Sequence, residues 1–228
     1  MAAAIQMKEG WFLTNKAGKT VALAALLVFV GCGCVGQPDY TEAALEYMEQ
    51  KYGQEFVYSG PWGTSYAEST TKKMLVTPDA GNGEVQILVE ATETEDGLQF
   101  RDNYLALLYE DEMQQTLEQA AEEVFGTATV FYEAATIVLS ADLPADASFT
   151  QYSQADSSGI IATVAVPVSQ DGPGRADDLE KELQKSGIHG LIRFVVLNQE
   201  QYDVATAESV RTIIGKDSYV QYQVISID

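Results

Sequence analysis

The sequence predicts an α+β fold in which antiparallel and mixed sheets have helices packed on one face. Short runs of alternating apolar residues, separated by turns rich in Gly and Asp, fill the first half of the chain. In the second half, strand-like runs alternate with short amphipathic segments. Apolar residues make up 46% of the chain, which is typical of a globular protein rather than a disordered one.

Residues 39–126 predict an αβββα unit. Asp39 and Glu42 have the spacing of a capping box that begins a helix, and Gly53 is placed to end it. A second, longer helix is predicted from Asn103 to Phe125, because its apolar residues share one stripe and its acids point away. Between the two helices, turn residues separate three or four strand-like runs, at 55–59, 73–77, 85–90 and 98–101.

Residues 127–228 predict a unit of order ββαβαβ. Residues 142–159 are rich in Asp, Ser, Ala and Pro and are predicted to form a loop. Two small subdomains with a seam near residues 126–135 fit this order better than one domain, and the single domain stays open as the alternative. The first predicted strand runs through 127–132 and 136–140, with a possible break at Ala134 and Ala135. The other predicted strands are 160–168, 191–197 and 219–227, with helices at 176–185 and 206–214.

The net charge of the chain excludes some classes of binding partner and favours others. Lys and Arg number 13 against 34 Asp and Glu, which gives a net charge of −21 in a chain of 228 residues. A chain this acidic lacks the basic patch that nucleic-acid binding requires, and anionic lipid headgroups repel it. Long-range electrostatics therefore favours cations and cationic peptides, and no nucleic-acid partner is predicted.

The N-terminal region has the features of a secretory signal. The apolar run Val21–Val30 follows a segment that carries Lys8, Lys16 and Lys19. Directly after the run come Gly31 and Cys32. A retained membrane-spanning helix is the alternative interpretation, although the segment Val21–Val35 has only 15 residues, fewer than the roughly 20 that a bilayer core needs, and contains two glycines.

The segment Phe29-Val30-Gly31-Cys32 resembles the lipobox of bacterial lipoproteins. The resemblance implies that residues 1–31 are a signal peptide, that a diacylglycerol is attached to the thiol of Cys32, and that residues 32–38 form a tether. It also implies a lipid-anchored protein that faces outside the cytoplasm, with the bilayer as its partner through the acyl anchor. Cys34 is the alternative modified residue. The whole pattern is similar, loosely, to uncharacterised lipoproteins of Gram-positive gut bacteria.

Two groups of residues are candidate ligand sites. Tyr58, Trp62 and Tyr66 surround a Gly-Pro-Trp-Gly turn, where aromatic rings could form a platform for a sugar or a peptide. The alternative is that these rings fold back over the edge of the sheet. Asp142, Asp146 and Asp156 could offer hard oxygen ligands to calcium, although their spacing does not match the twelve-residue calcium loop.

The sequence contains few candidate catalytic residues. His189 is the single histidine, and it lies in a predicted turn with no recognisable nucleophile motif nearby. No catalytic residue and no cofactor is therefore predicted. We expect a non-enzymatic binding or envelope-associated module, with an envelope hydrolase that uses carboxylates or a bound metal as the alternative. A solute-binding protein of a transporter is disfavoured, because such proteins usually have two larger α/β lobes.

Overall fold

Two four-stranded sheets organise the chain in the computed structural model. The structure describes residues 39–63, 70–80, 83, 85–134, 138–139, 143–155 and 159–228. All of these belong to one compact unit. The α+β class predicted from the sequence is confirmed, with one purely antiparallel sheet and one mixed sheet. The boundary between two subdomains stays a prediction.

The first sheet is an antiparallel meander. Each strand pairs with the next one along the chain, in the spatial order β1-β2-β3-β4. This is the arrangement that short strands joined by tight turns favour. The pairing of β1 with β2 shifts register between Tyr58 and Gly60, which is a β-bulge. The four strands are β1 (Phe56–Pro61), β2 (Thr71–Pro78), β3 (Ile87–Thr94) and β4 (Gly97–Asp102).

Helix α1 (Thr41–Tyr52) packs against one face of this sheet. Its Ala44 and Met48 are fully buried. The helix ends at Gly53, whose φ of 67° is the left-handed conformation that glycine adopts without strain. The predicted capping box is wrong in detail, because Asp39 accepts from the backbone N–H of Thr41 instead of from the third helical residue.

The long helix predicted over 103–125 is broken in two. Helix α2 covers Tyr104–Leu108 and helix α3 covers Glu110–Phe125. Between them, Tyr109 has φ −102° and ψ 12°, outside the α-helical region. Its ring stacks on Tyr152, and its hydroxyl donates to the carbonyl of Ala147 at 2.7 Å. The helix break at Tyr109 therefore coincides with contacts to residues distant in sequence, which the apolar stripe alone did not indicate.

The second sheet is mixed and has the order β5-β6-β7-β8. The central strands β6 and β7 are parallel, while β5 and β8 run antiparallel to their neighbours. Helix α5 connects the parallel pair, as a crossover requires. The remaining elements are β5 (Thr129–Tyr132), α4 (Phe149–Ser153), β6 (Ile160–Pro167), a short 3-10 turn (Val168–Gln170), α5 (Arg175–Lys185), β7 (Gly190–Leu197), α6 (Gln199–Tyr202), α7 (Ala207–Gly215) and β8 (Gln221–Ile227).

Helices lie on both faces of the second sheet, so the predicted packing of helices on one face is wrong for this sheet. One face joins α3 and α5 in the largest apolar cluster, which includes Phe194 stacked on Phe125. The opposite face packs Ala165 and Val195 against α6 and α7. This double coverage follows from the sequence of β6 and β7, because parallel strands that are apolar on both sides must be buried on both sides.

The structure differs from the prediction in two segments, the predicted loop 142–159 and the predicted strand 136–140. The predicted loop 142–159 contains α4, which begins with a capping box between Ser148 and Gln151. The predicted strand 136–140 is described only at residues 138 and 139, which are not in a strand. The sequence pattern also missed the short helix α6.

Candidate functional site

The predicted aromatic platform is described in part. Tyr58 and Trp62 are exposed, at 45% and 39%, and Tyr66 lies outside the described residues. Tyr58 is opposite Val76 in the β1–β2 pairing, whereas Trp62 follows the strand and donates its backbone N–H to Lys73. The platform stays a prediction.

The predicted metal site and the predicted lipidation site lie largely outside the described residues. Asp146 is exposed in a turn, while Asp142 and Asp156 are not described. Within the described ranges, no group of three metal-ligating side chains is close enough to hold an ion. Cys32 and Cys34 also lie outside these ranges. Both sites therefore stay predictions.

His189 lies between α5 and β7, as the sequence indicated. Its backbone N–H donates to the carbonyl of Ser153 at 2.8 Å. It lines a shallow cavity of about 310 Å³ at the beginning of β6 and β7, together with Ser226 and Asp228. The following Gly190 allows these strands to approach, because a Cβ there would be 2.6 Å from the carbonyl oxygen of Ile160.

Asp102 is a fully buried carboxylate at the end of β4. Its Oδ2 accepts from the hydroxyl of Tyr47 at 2.7 Å and from the ammonium of Lys51 at 2.8 Å. Its Oδ1 accepts from the hydroxyl of Tyr52 at 2.7 Å and from the backbone N–H of Tyr104 at 2.9 Å. Each carboxylate oxygen thus has two donors, which is the satisfaction that a buried charge requires.

The donors around Asp102 come mainly from helix α1. Lys51 also lies over the rings of Tyr47 and Tyr52, 5.4 and 5.2 Å from their centroids. Burial, followed by the charge of Asp102, raises the pKa of Tyr47 and of Tyr52 well above the ordinary value. Both phenols therefore stay protonated as donors. The network fastens α1 to β4, and its satisfied geometry indicates a structural role.

A second buried pair of phenols lies in the other half of the chain. The hydroxyls of Tyr132 and Tyr152 form a hydrogen bond with each other. Burial raises the pKa of Tyr132 to about 12 and raises that of Tyr152 further above its ordinary value. Tyr152, in α4, is fully buried in the large apolar cluster, and the partly buried Tyr132 packs against the same cluster.

Glu90 is the other charged group buried in the first sheet. The register places it opposite Lys73 on one side and Arg101 on the other, and both cations form ion pairs with its carboxylate. Burial alone would raise the pKa of Glu90, but the hydrogen bonds and charges of the two cations outweigh it and lower the pKa. This triad lies on the sheet face opposite to α1, because Glu90 alternates with the α1-facing Val89 and Ala91.

Glu133, Arg193 and Arg211 form a charged cluster on the second sheet. Glu133 follows β5, Arg193 is in β7 and Arg211 is in α7. Nη1 of Arg193 is 3.0 Å from Oε1 of Glu133, and Nη2 of Arg211 is 3.7 Å from the same oxygen. Two of the four arginines in the chain therefore converge on one carboxylate.

The cluster lies at a cavity of about 300 Å³ between the sheet and α7. Arg193 is partly exposed, at 34% of its side chain, and Arg211 is exposed at 64%. The two guanidinium groups and one carboxylate carry a net charge of +1 in a protein whose total is −21. The other lining residues are mostly apolar or small: Phe131, Thr163, Ala207, Ile214 and Gly215. Cationic donors thus adjoin apolar walls, which is a common composition of small-molecule sites.

No pattern in the sequence predicted this cluster. Glu133 is 60 residues from Arg193 in the chain. The strand register brings them together, because Phe131 is opposite Thr163 and Thr163 is opposite Arg193. One signal was available: Arg193 interrupts the otherwise apolar run from Leu191 to Leu197, which predicts a functional or paired charge.

The comparisons with known proteins give no relative for this chain. No protein family matches it, and neither a curated protein nor a solved structure resembles it significantly. Among the helices in the described ranges, none combines the length and the apolar character needed to cross a bilayer.

Proposed function

We propose that the chain is a lipid-anchored, extracytoplasmic binding module that holds a small carboxylate-bearing molecule in the Glu133–Arg193–Arg211 cavity. The observation that carries the proposal is the convergence of two guanidinium groups on a cavity with apolar walls. The folded part supplies the binding site. The lipobox-like segment at Cys32 supplies the anchor.

The chemistry of arginine supports a planar anion as the ligand. A guanidinium has five N–H donors in a fixed fork that matches the two oxygens of a carboxylate. Arg193 places Nη1 on Glu133, and Arg211 is 3.7 Å from that carboxylate, beyond ordinary hydrogen-bond distance. Donors of both side chains are thus available to a second anion. Glu133 orients Arg193 and keeps the cavity from being strongly cationic.

The walls of the cavity limit the rest of the ligand. Phe131 and Ile214 offer apolar surface beside the charged end. A volume of about 300 Å³ accommodates a molecule of roughly the size of an aromatic or branched aliphatic acid. The ligand class is therefore a monocarboxylate with a compact apolar body.

The anchor follows from the N-terminal sequence. A charged segment, a ten-residue apolar run and a cysteine after a small residue are the parts of a lipoprotein signal, and Cys32 is the modified residue in this proposal. A binding module on such a tether remains close to the membrane and samples ligands outside the cytoplasm.

A matched pair of probes tests the binding site. We expect phenylacetate to bind the full chain in detergent and to raise its melting temperature, because a ligand bound only by the folded state stabilises it by mass action. Phenylacetamide has the same shape without the charge and should bind about tenfold more weakly or worse, since it forms no charge-assisted hydrogen bond. Isothermal titration calorimetry measures both.

Variants connect binding to the two arginines. Arg211→Gln should weaken phenylacetate binding on the order of tenfold while leaving the fold intact, because the side chain is largely exposed. Lys181→Gln is the control, since it removes one positive charge from an exposed ion pair on α5. Equal weakening in both variants, or equal affinity for the acid and the amide, would contradict the proposed site.

Labelling with a palmitate analogue tests the anchor. The wild-type chain and Cys34→Ser should be labelled in a bacterial host, and Cys32→Ser should not, because that thiol is the proposed attachment point. Labelling that persists in Cys32→Ser and disappears in Cys34→Ser would move the attachment to Cys34.

A further inference from the structure

The two sheets have four edge strands, and three of them carry features that discourage pairing with another strand. Strand β1 has a bulge and ends at Pro61. Strand β4 carries the adjacent charges Arg101 and Asp102, and β5 is only four residues long. Bulges, prolines, charges and short length are the usual means by which proteins protect sheet edges.

Strand β8 has none of these protections. It spans the seven residues Gln221–Ile227, pairs with β7 on one side, and has no pairing strand on its other side within the described ranges. Its sequence, QYQVISI, contains no charged residue and no proline, although charged residues make up 21% of the chain. The pairing with β7 is continuous over the strand, without a register shift. A regular, uncharged edge of this kind is a template for strand addition.

The strand is also complementary to itself. In an antiparallel register centred on Gln223, Tyr222 of each copy is opposite Val224 of the other, and Gln223 is opposite its own counterpart. Aromatic and β-branched residues are favourable cross-strand partners. Val224 is 52% exposed in the single chain, so this pairing would bury apolar surface that is now in solvent. No charged side chain is opposite a like charge along the strand.

We propose that β8 is a self-association edge: two copies of the chain pair their β8 strands in an antiparallel manner around a two-fold axis and form one continuous eight-stranded sheet. The dimer closes, because each copy has one such edge and the symmetric pairing occupies both. No residue of β8 lines the Glu133–Arg193–Arg211 cavity, although Val224 is opposite Arg193 in the β7–β8 register. It does not depend on the proposed ligand.

A cysteine at the symmetry centre tests the pairing. The full chain with Cys32→Ser and Cys34→Ser contains no thiol, because these are its two cysteines. Adding Gln223→Cys to it places two thiols opposite each other in the proposed dimer. Opposed residues of an antiparallel pair have Cα atoms about 4.5–5.5 Å apart, within the range for a disulfide. Under mild oxidation in detergent, we expect a covalent dimer.

Gln99→Cys in the same background is the matched control, since Gln99 is an exposed glutamine on β4, an edge strand of the other sheet. The Gln223→Cys chain should form the dimer on the order of tenfold faster, because pairing raises the effective concentration of its thiols. Adding Val224→Glu should remove this advantage, because the pairing would bring two carboxylates close together. The melting temperature should stay near that of the parent chain, because Val224 is half-exposed and is opposite the cation Arg193 within the same chain. Equal rates for the two cysteine variants, no dimer from Gln223→Cys, or an effect unchanged by Val224→Glu would each overturn the proposal.

Discussion

The sheet of β1–β4 and the sheet of β5–β8 have the same number of strands but are stabilised by different interactions. In the first, α1 is fastened by a buried carboxylate with four donors, and the opposite face carries the Glu90 ion-pair triad. In the second, apolar layers on both faces bury the parallel strands β6 and β7. The difference shows that the stability of one region of a chain can depend on buried charges while the stability of another depends on the packing of apolar side chains. Changes in pH and cavity-forming substitutions should therefore affect the two regions unequally.

The largest expected effect is the removal of volume from the second region. Phe194→Ala should lower the free energy of unfolding by about 3–5 kcal/mol, because the side chain is fully buried and stacked on Phe125. Urea unfolding followed by circular dichroism measures the change. Val220→Ala is the control, since Val220 is 53% exposed and should be nearly neutral. If Phe194→Ala lowered the free energy of unfolding no more than the control, the apolar layer would not be the main source of stability in this region.

A somewhat smaller effect is expected from the carboxylate of the first region. Asp102→Asn should lower the free energy of unfolding by about 2–3 kcal/mol, because the amide removes the charge that pairs with Lys51 and places a donor among donors. Urea unfolding compares it with Asp178→Asn, which removes a carboxylate 55% exposed in an ion pair and should cost little. Equal losses in the two variants would contradict a special role for Asp102.

The smallest expected effect is the pH dependence of the stability that the Glu90 ion pairs contribute to the first region. The pKa of Glu90 is held below its ordinary value of 4.5, so its ion pairs stabilise the fold at higher pH and lose this contribution as pH falls through the lowered pKa. Glu90→Gln should therefore cost about 1 kcal/mol near neutral pH and nothing once the carboxyl is protonated in both states. Melting temperatures from pH 7 downward measure this, and a pH-independent difference would contradict the assignment.

The fold class and most of the strands could be predicted from the sequence because alternation and turn residues are local signals. The break at Tyr109 could not, since it coincides with contacts to Tyr152 and Ala147 that are distant in sequence. The short helix after Ser148 had a local signal, the Ser148–Gln151 capping box, but the polar composition of the segment favoured a loop.

The candidate site was less predictable than the fold. Its parts come from the end of β5, from β7 and from α7, and only the strand register and the packing of α7 bring them to one cavity. A lone arginine in a buried strand was the one available indication, and it does not identify its partners. The sequence is therefore least informative where function depends on contacts between residues that are distant in the chain.

The two buried tyrosine pairs make the ultraviolet absorbance of the protein sensitive to the opening of these two regions. Exposed tyrosines lose their protons near pH 10, at which their absorbance shifts to longer wavelength. Tyr47 and Tyr52 beside Asp102, and Tyr132 and Tyr152 in the other region, hold their protons beyond that point. Opening of either region in alkaline solution therefore exposes two phenols, which lose their protons and become phenolates. The chain has twelve tyrosines, so the difference in absorbance between the wild-type chain and a version with Tyr→Phe changes in one pair would report the opening of that pair's region without any added dye.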